Sequence, residues 1–455
     1  MEIAEKGIEA DADVTAALEW FASVTSDPDA FWQRLARAQA AYRDASSLPA
    51  NRGRDLELDA LGRDIVGGFL AQPKSLLDDR RSFDLVLGAQ TVPWLKQIGR
   101  NVALLDDVPG ARERADRMLK ADTVHPGSAM FELAMASNYA SDGFDVGFVE
   151  EARGSARTPD LRLSLPGLPP VHVECKRLYQ GKYETNERKR HRELFRKAAA
   201  LIDERGLSVH IDVTYTQELA NVPEDYLAER LERAISTPIV TLDRYPWSDV
   251  YAYGVVRAGD LAAVKRDTSD SSLYFGPKLA RLLSGRPVTG TTYCLAAGAD
   301  PDRRDPRFIE EIHYGSVVTW QCIAPESMDQ KARFVKSKLR EVDDQLVKFG
   351  PGIAHLAMDA DLQSQASDLR RSRNTDAITG FQPRANLVAI YLHYLIPRVS
   401  ELAAWMIDET VDRFGLGSDP LPTFRIFPQS VPVDNELRRG SRLCPFRARH
   451  ARCRV

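Results

Sequence analysis

Glu174 and Lys176 stand two residues apart in Val171-His172-Val173-Glu174-Cys175-Lys176-Arg177, a run whose valines and short period favour a strand. Side chains alternate faces along a strand, so a carboxylate and an ammonium project together while Val173 and Cys175 enter the opposite layer. Fourteen residues before Glu174, Thr158-Pro159-Asp160-Leu161-Arg162 sets Asp160 in a second β-prone run, and the Pro/Gly-rich residues 165–170 suit a hairpin between the two. On neighbouring strands, Asp160 and Glu174 can converge on a hard cation such as Mg²⁺, with Mn²⁺ as a substitute. Mg²⁺ takes oxygen ligands at about 2.0–2.1 Å and keeps several waters. One such water is the expected nucleophile on a phosphodiester, its pKa lowered by the metal, with Lys176 orienting it or stabilising the developing charge. Cys175 would contribute its backbone carbonyl alone.

Spacing by itself decides nothing. In a chain with 65 acids, the acid-x-lysine spacing also occurs at Glu187/Lys189 and Asp329/Lys331. Those two fall in or at the start of helical patterns, where residues two apart do not share a face. Pro-Asp likewise recurs at Pro28-Asp29 and Pro301-Asp302, but only Asp160 lies in a β-prone run ahead of a strand-borne Glu-x-Lys.

The elements that must position these residues follow from punctuation and periodicity. Pro126 suits the first turn of a helix running through Phe131, Leu133, Met135 and Tyr139, with Gly143 as its stop. Short β-prone runs follow at 146–151, 160–165 and 171–176, then a helix over 186–205 closed by Gly206, then a strand over 207–215. Upstream, residues 14–120 carry apolar side chains at three- and four-residue steps, which predicts an all-helical N-terminal region (1–120). Downstream, residues 217–437 read as mixed α/β, with helical patterns at 223–235, 331–349 and 399–414 and strands at 251–256, 291–296, 316–323, 353–358 and 387–394. The 331–349 helix ends in Gly350-Pro351-Gly352 before its strand, echoing the helix–Gly206–strand step.

The segment from about Pro126 to Tyr215 resembles the PD-(D/E)XK phosphodiesterase superfamily, the restriction-endonuclease-like fold, with Pro159, Asp160, Glu174 and Lys176 at its signature positions. The resemblance covers about a fifth of the chain. It implies an α/β fold with an αβββαβ core over 121–216 and a catalytic set of Asp160, Glu174 and Lys176. Glu132 is similar to an auxiliary acid that family members carry on the preceding helix, where it could hold a second metal or a metal-bound water. The implied activity is Mg²⁺-dependent hydrolysis of nucleic acid, expected as a DNA endonuclease serving restriction, antiviral defence or repair. The 186–205 helix lacks the Gln and Tyr pairing of the RecB-like exonuclease branch. Two other readings stay open: a nucleic-acid-binding scaffold that keeps the fold without turnover, and a nuclease subunit active only in a larger assembly with a protein partner or a second copy.

Composition bounds these readings. The 61 basic and 65 acidic residues nearly cancel, to −4, which excludes a uniformly basic nucleic-acid-coating protein, and 44% hydrophobic residues suffice for a buried core. Basic residues instead concentrate locally: residues 176–197 hold nine against three acids. Arg177, Lys182, Lys189, Arg192 and Arg196 are the expected phosphate contacts. His172 shares the Glu174 face but reads equally as an ordinary strand histidine. No G-x-x-x-x-G-K-[ST], G-x-S-x-G or H-E-x-x-H is present, so no nucleotide-binding motif is expected. The five scattered cysteines predict a reducing compartment, and the absence of an export signal or a bilayer-length apolar run predicts a cytoplasmic protein that avoids membranes. Residues 438–455, with seven arginines and no acid, read as a disordered, solvated tail, and Cys444, His450 and Cys453 there match no common zinc finger.

Overall fold

A computed structural model describes residues 11–45, 64–79, 82–120, 123, 125–150, 158–164, 167, 169–236, 244–268, 277–286, 292–303, 309–360, 364–399, 405–415 and 424–427. The arginine-rich 438–455 segment and its Cys444, His450 and Cys453 lie outside the described residues. The chain is mixed α/β, built on two mixed sheets, and no described helix is long and apolar enough to cross a membrane.

The N-terminal region supplies α1 (Ala12–Val24), α2 (Pro28–Ala45), α3 (Ile65–Asp78), α4 (Leu85–Arg100), α5 (Val102–Asp107) and α6 (Ala111–Met118). Asp11 caps α1 by accepting from the Val14 N–H at 3.0 Å, which satisfies one of the donors a helix start leaves open. Val14, Leu18 and Phe21 then fall on one buried stripe. These helices close over α7 (Pro126–Ser141), which is buried on nearly every side, and over one face of the first sheet.

That sheet has the order β1 (Asp145–Phe148), β2 (Leu161–Ser164), β3 (Val171–Leu178), β9 (Pro351–Asp359), β10 (Asn386–Val399), β11 (Trp405–Gly415). β1–β2–β3 is antiparallel, whereas β3–β9 and β9–β10 are parallel. Its second face is covered by α12 (Pro325–Leu346) and α13 (Gln365–Thr379), through Val335, Leu339, Val342, Leu346 and Ile378. Between β3 and α12 the chain builds the other sheet. Its elements are α8 (Lys182–Arg205), β4 (Val209–Tyr215), α9 (Tyr226–Ser236), β5 (Tyr245–Ser248), β6 (Ala252–Ala258), α10 (Leu261–Thr268), α11 (Pro277–Ser284), β7 (Tyr293–Pro301) and β8 (Ile309–Cys322), in strand order β5-β6-β4-β8-β7.

Two sequence expectations are corrected. The strand at 207–215, expected to complete the sheet that holds Glu174, is β4 and pairs with β6 and β8 in the second sheet. The place beside β3 is taken by β9, which pairs in parallel from His172 to Leu178. Both strands follow a helix and then a left-handed glycine, Gly206 (φ 57°) capping α8 before β4 and Gly350 (φ 80°) in the turn between α12 and β9, so chain adjacency points to the wrong one. The helical pattern over 399–414 is also overturned. Residues Trp405–Gly415 are a strand, because pairing along β10 from Ala389 to Val399 outweighs a weak local preference.

A buried polar chain sutures α7 to the sheet. Tyr139 Oη lies 2.7 Å from His355 Nε2, His355 Nδ1 2.9 Å from His393 Nε2, and His393 Nδ1 2.7 Å from Glu409 Oε1. Burial, then the neighbouring His393, push His355 well below its ordinary value. With every proton of the chain directed toward Glu409 each link is satisfied, and Glu409 also accepts the N–H groups of Ile426 and Phe427.

The split of 121–216 between two sheets carries a prediction. A fragment of residues 121–216 should show no cooperative urea transition by circular dichroism, since β3 lacks β9 and β4 lacks β8 in it. A two-state transition in that fragment would contradict the assignment of β9 as the indispensable neighbour.

Candidate functional site

The candidate site forms where β2 stops. Among the described residues β2 pairs with β3 through Leu161–Val173, Arg162–His172 and Leu163–Val171, so from Cys175 onward no described strand pairs with β3 on that edge. Asp160 occupies the gap. Its backbone is clamped on both sides, its N–H donating to the Val173 carbonyl at 3.0 Å and its carbonyl accepting from Val149 at 3.0 Å. Its carboxylate then accepts from the Cys175 N–H at 2.8 Å. In a strand, one residue's N–H and C=O point to the same edge, so the Cys175 carbonyl is presented beside Asp160.

The faces of β3 follow the alternation. Val173 and Cys175 enter the core shared with α7, while Glu174, Lys176 and Leu178 turn toward α12. Glu174 is fully buried, at 0% exposure, and its Oε1 lies 2.5 Å from Lys176 Nζ, whose side chain keeps 26% exposure. Gln345, on the last turn of α12, donates to the Thr158 carbonyl at 3.2 Å and lies beside Glu174. Among the described residues, neither Glu174 oxygen has a well-formed hydrogen bond beyond these two neighbours. Glu132 approaches from the other face on α7, is 4% exposed, and is ion-paired with Arg114 of α6.

The charges report on one another. Burial, then the Asp160 carboxylate, raise Glu174 to about 8 against the pull of Lys176. Burial and Asp160 also push Glu132 well above the ordinary carboxyl range, although the Arg114 guanidinium opposes them. Burial alone would lower the Lys176 ammonium, but Glu174 and Asp160 outweigh it and hold the lysine above its usual value. Cys175 is pushed well up by burial and then by Asp160, Glu132 and Glu174, so its side chain is a neutral thiol, with the carbonyl left as its contribution to the site. Like charges crowded in a dry place cost free energy unless a cation joins them. Hard oxygen donors with two buried, poorly satisfied atoms on Glu174 suit a divalent ion such as Mg²⁺.

No family model matches the chain, and no curated protein or solved structure gives a match. The functional reading of this chain therefore rests on its own geometry.

The structure brings Asp160, Glu174, Cys175 and Lys176 to one strand edge, with Glu132 within electrostatic reach from the other face, but treats the expected phosphate contacts unevenly. Arg177 is ion-paired to Asp359 with its side chain only 8% exposed, and its guanidinium lies 5.7 Å from the Tyr179 ring, so it is committed to the fold. Lys182, Lys189, Arg192 and Arg196 are exposed, yet α8 packs through Leu194, Phe195, Leu201 and Ile202 into the core of the second sheet. His172 packs its ring 5.3 Å from Phe349. Burial holds that ring below its ordinary pKa, consistent with a strand histidine.

Arg114 and Gln345 were not visible as site residues in the sequence. Arg114 lies in a helical region with an excess of acids, and Gln345 is 171 positions from Glu174, on the helix that packs beneath β3. Among the described residues, one group of three His, Cys, Asp or Glu ligand atoms closes to within 4.8 Å: exposed Asp300, Glu311 and His313. Asp300 and Glu311 are cross-strand partners on β7 and β8, and His313 Nε2 sits 3.1 Å from Asp300, an ion pair that relieves two facing carboxylates when the ring is protonated.

Proposed function

We propose that this chain is a divalent-metal-dependent nuclease of the PD-(D/E)XK type, acting on DNA. Asp160 and Glu174 would hold Mg²⁺ (or Mn²⁺) with the Cys175 carbonyl, Glu132 is an auxiliary acid, and Lys176 is the catalytic lysine. The observation that carries the reading is Glu174: a fully buried carboxylate, raised to about 8, beside a second carboxylate and a lysine, where no described strand pairs with that edge of β3. A fold has little reason to retain that arrangement without a cation to complete it. The topology supports the same reading once β9 is taken as the fourth strand: α7, β1, β2, β3, then α12 and β9, with the second sheet inserted between β3 and α12.

When bound, the metal would neutralise charge on a phosphodiester and acidify a water at neutral pH. The chain's own residues do the rest. Asp160 is locked through its backbone and through Cys175, so its carboxylate is oriented before any ligand arrives. Lys176 is charged at neutral pH and partly exposed, placing an ammonium where negative charge develops on the transferring phosphoryl oxygens. Gln345 fixes the Thr158 carbonyl and so steadies the turn ahead of Pro159-Asp160. The exposed residues of α8, Lys182, Lys189, Arg192 and Arg196, would offer sequence-independent contacts to a phosphate backbone.

The test is incubation of the full chain with supercoiled plasmid, linear duplex, single-stranded DNA and RNA, in Mg²⁺, in Mn²⁺ and in EDTA. Nicking or linearisation of DNA in either metal, absent in EDTA, is the expected result. Binding of DNA with no strand scission in either metal would favour the scaffold reading instead.

A further inference from the structure

Glu132 is the acid that the proposed site leaves over for a second metal, and the chain has already given it a cation. The Arg114 guanidinium contacts Glu132 Oε1 through Nη2, and that contact is built from the backbone upward. Gly110, at φ 84°, opens α6 in a conformation that favours glycine, and a Cβ there would come within 2.8 Å of the Phe148 side chain. The Arg114 N–H bonds to the Gly110 carbonyl at 3.0 Å, and the Phe148 N–H to the Pro109 carbonyl at 2.9 Å, tying α6 to β1 next to α7. The helix that carries Arg114 is therefore set beside α7 by the backbone, and the Glu132 carboxylate receives its guanidinium.

We infer that Arg114 is a built-in substitute for a second divalent ion, so that the centre works with one metal, held by Asp160 and Glu174. The inference rests on the metal-dependent reading of the site and specifies its stoichiometry. An arginine in a protein does not give up its proton, so its charge is permanent. With all groups ionised, the three carboxylates and the two cations Arg114 and Lys176 sum to one negative charge. One divalent ion turns this into one positive charge, which a single phosphodiester neutralises. Two would leave three positive charges at a spot with no further acid assigned to it. Glu132, Asp160 and Glu174 do not all close to within 4.8 Å of one another, and a single Mg²⁺ needs only one or two carboxylates and keeps its waters. A two-metal centre about 3.5–4 Å across would need Glu132 released from Arg114.

The experiment counts bound Mn²⁺ by the loss of its free-ion paramagnetic resonance signal, taking the difference from Glu174→Gln so that ions on the exposed Asp300/Glu311/His313 group cancel. The wild type is expected to hold one ion at the site, Glu132→Gln also one, and Arg114→Met two. Two ions in the wild type, none in Glu132→Gln, or one in an Arg114→Met protein with an intact thermal transition would each overturn the inference. If Arg114→Met does not fold, the wild-type and Glu132→Gln counts still decide it. No ion in the wild type would overturn the metal-dependent reading itself.

Discussion

Lys176→Met is expected to bind Mg²⁺ at least as tightly as the wild type while cleaving DNA at least about 100-fold more slowly, the scale on which removal of one charge-stabilising donor is felt. Asp160→Asn is expected to lose both properties. The lysine ammonium lies 2.5 Å from a carboxylate oxygen that the metal would use, so it competes with the ion for Glu174. Its removal frees the ligand but takes away the group facing the developing charge. The buried Glu174 left behind can take up a proton, since it is already raised to about 8, which limits the damage to folding. In Asp160→Asn the amide oxygen can still accept from the Cys175 N–H, so the local backbone survives while one anionic ligand is gone. Calorimetric Mg²⁺ titration beside single-turnover cleavage separates the two roles. Wild-type cleavage by Lys176→Met would remove the lysine from the mechanism, and a pair of variants that both bind and both cleave would remove the site.

The second large effect is on stability. Glu174 is raised from an ordinary 4.5 to about 8 in the metal-free fold, chiefly by burial and then by Asp160. Between those values the folded chain holds a proton that the unfolded chain has released. Metal-free stability should therefore be greatest below about pH 4.5, as far as this group is concerned, and fall as pH rises toward 8, by at most about 1.4 kcal/mol per pH unit. Glu132 is raised by the same causes and adds to the slope. Millimolar Mg²⁺ should flatten it, because the ion takes the proton's place on Glu174, and close to one proton per ion should be released at pH 7. Urea midpoints from pH 5 to 8, with and without Mg²⁺, measure this, with Glu174→Gln as the control that removes this group's share of the slope without metal and leaves that of Glu132. A metal-free profile that rises over this range, or one that Mg²⁺ leaves unchanged, would show that Glu174 does not titrate as its surroundings require.

The local chemistry of the site is readable from the residues, whereas its assembly is not. Alternation alone puts Glu174 and Lys176 on one side of β3 and Cys175 on the other, and the proline and glycine punctuation locates β2 and β3. The path of the chain after β3 is illegible because two helix–glycine–strand units, ending in β4 and β9, satisfy the same local rules. Which strand lies beside β3 is decided by tertiary packing: Val335, Leu339 and Val342 of α12 bury against that sheet, while Leu194 and Phe195 of α8 bury against the other. For that reason Gln345 stays hidden in the sequence, and Arg177 reads there as a phosphate contact although Asp359, at the end of β9, neutralises it. β11 reads locally as a helix because its main support, the long pairing with β10, is not local.

The insertion of an entire sheet between β3 and α12 also has a consequence during synthesis. A ribosome adding roughly 5–20 residues per second needs on the order of 10–40 s to travel from the end of β3 to the end of β9. Throughout that interval the nascent polypeptide carries Glu174 and Lys176 on a ribbon with no parallel neighbour, and Gln345 has yet to be made or has only just emerged. Closing so wide a loop is among the slower events in folding. The acidic pocket thus comes together as one of the last acts of maturation, after most of the molecule has left the exit tunnel.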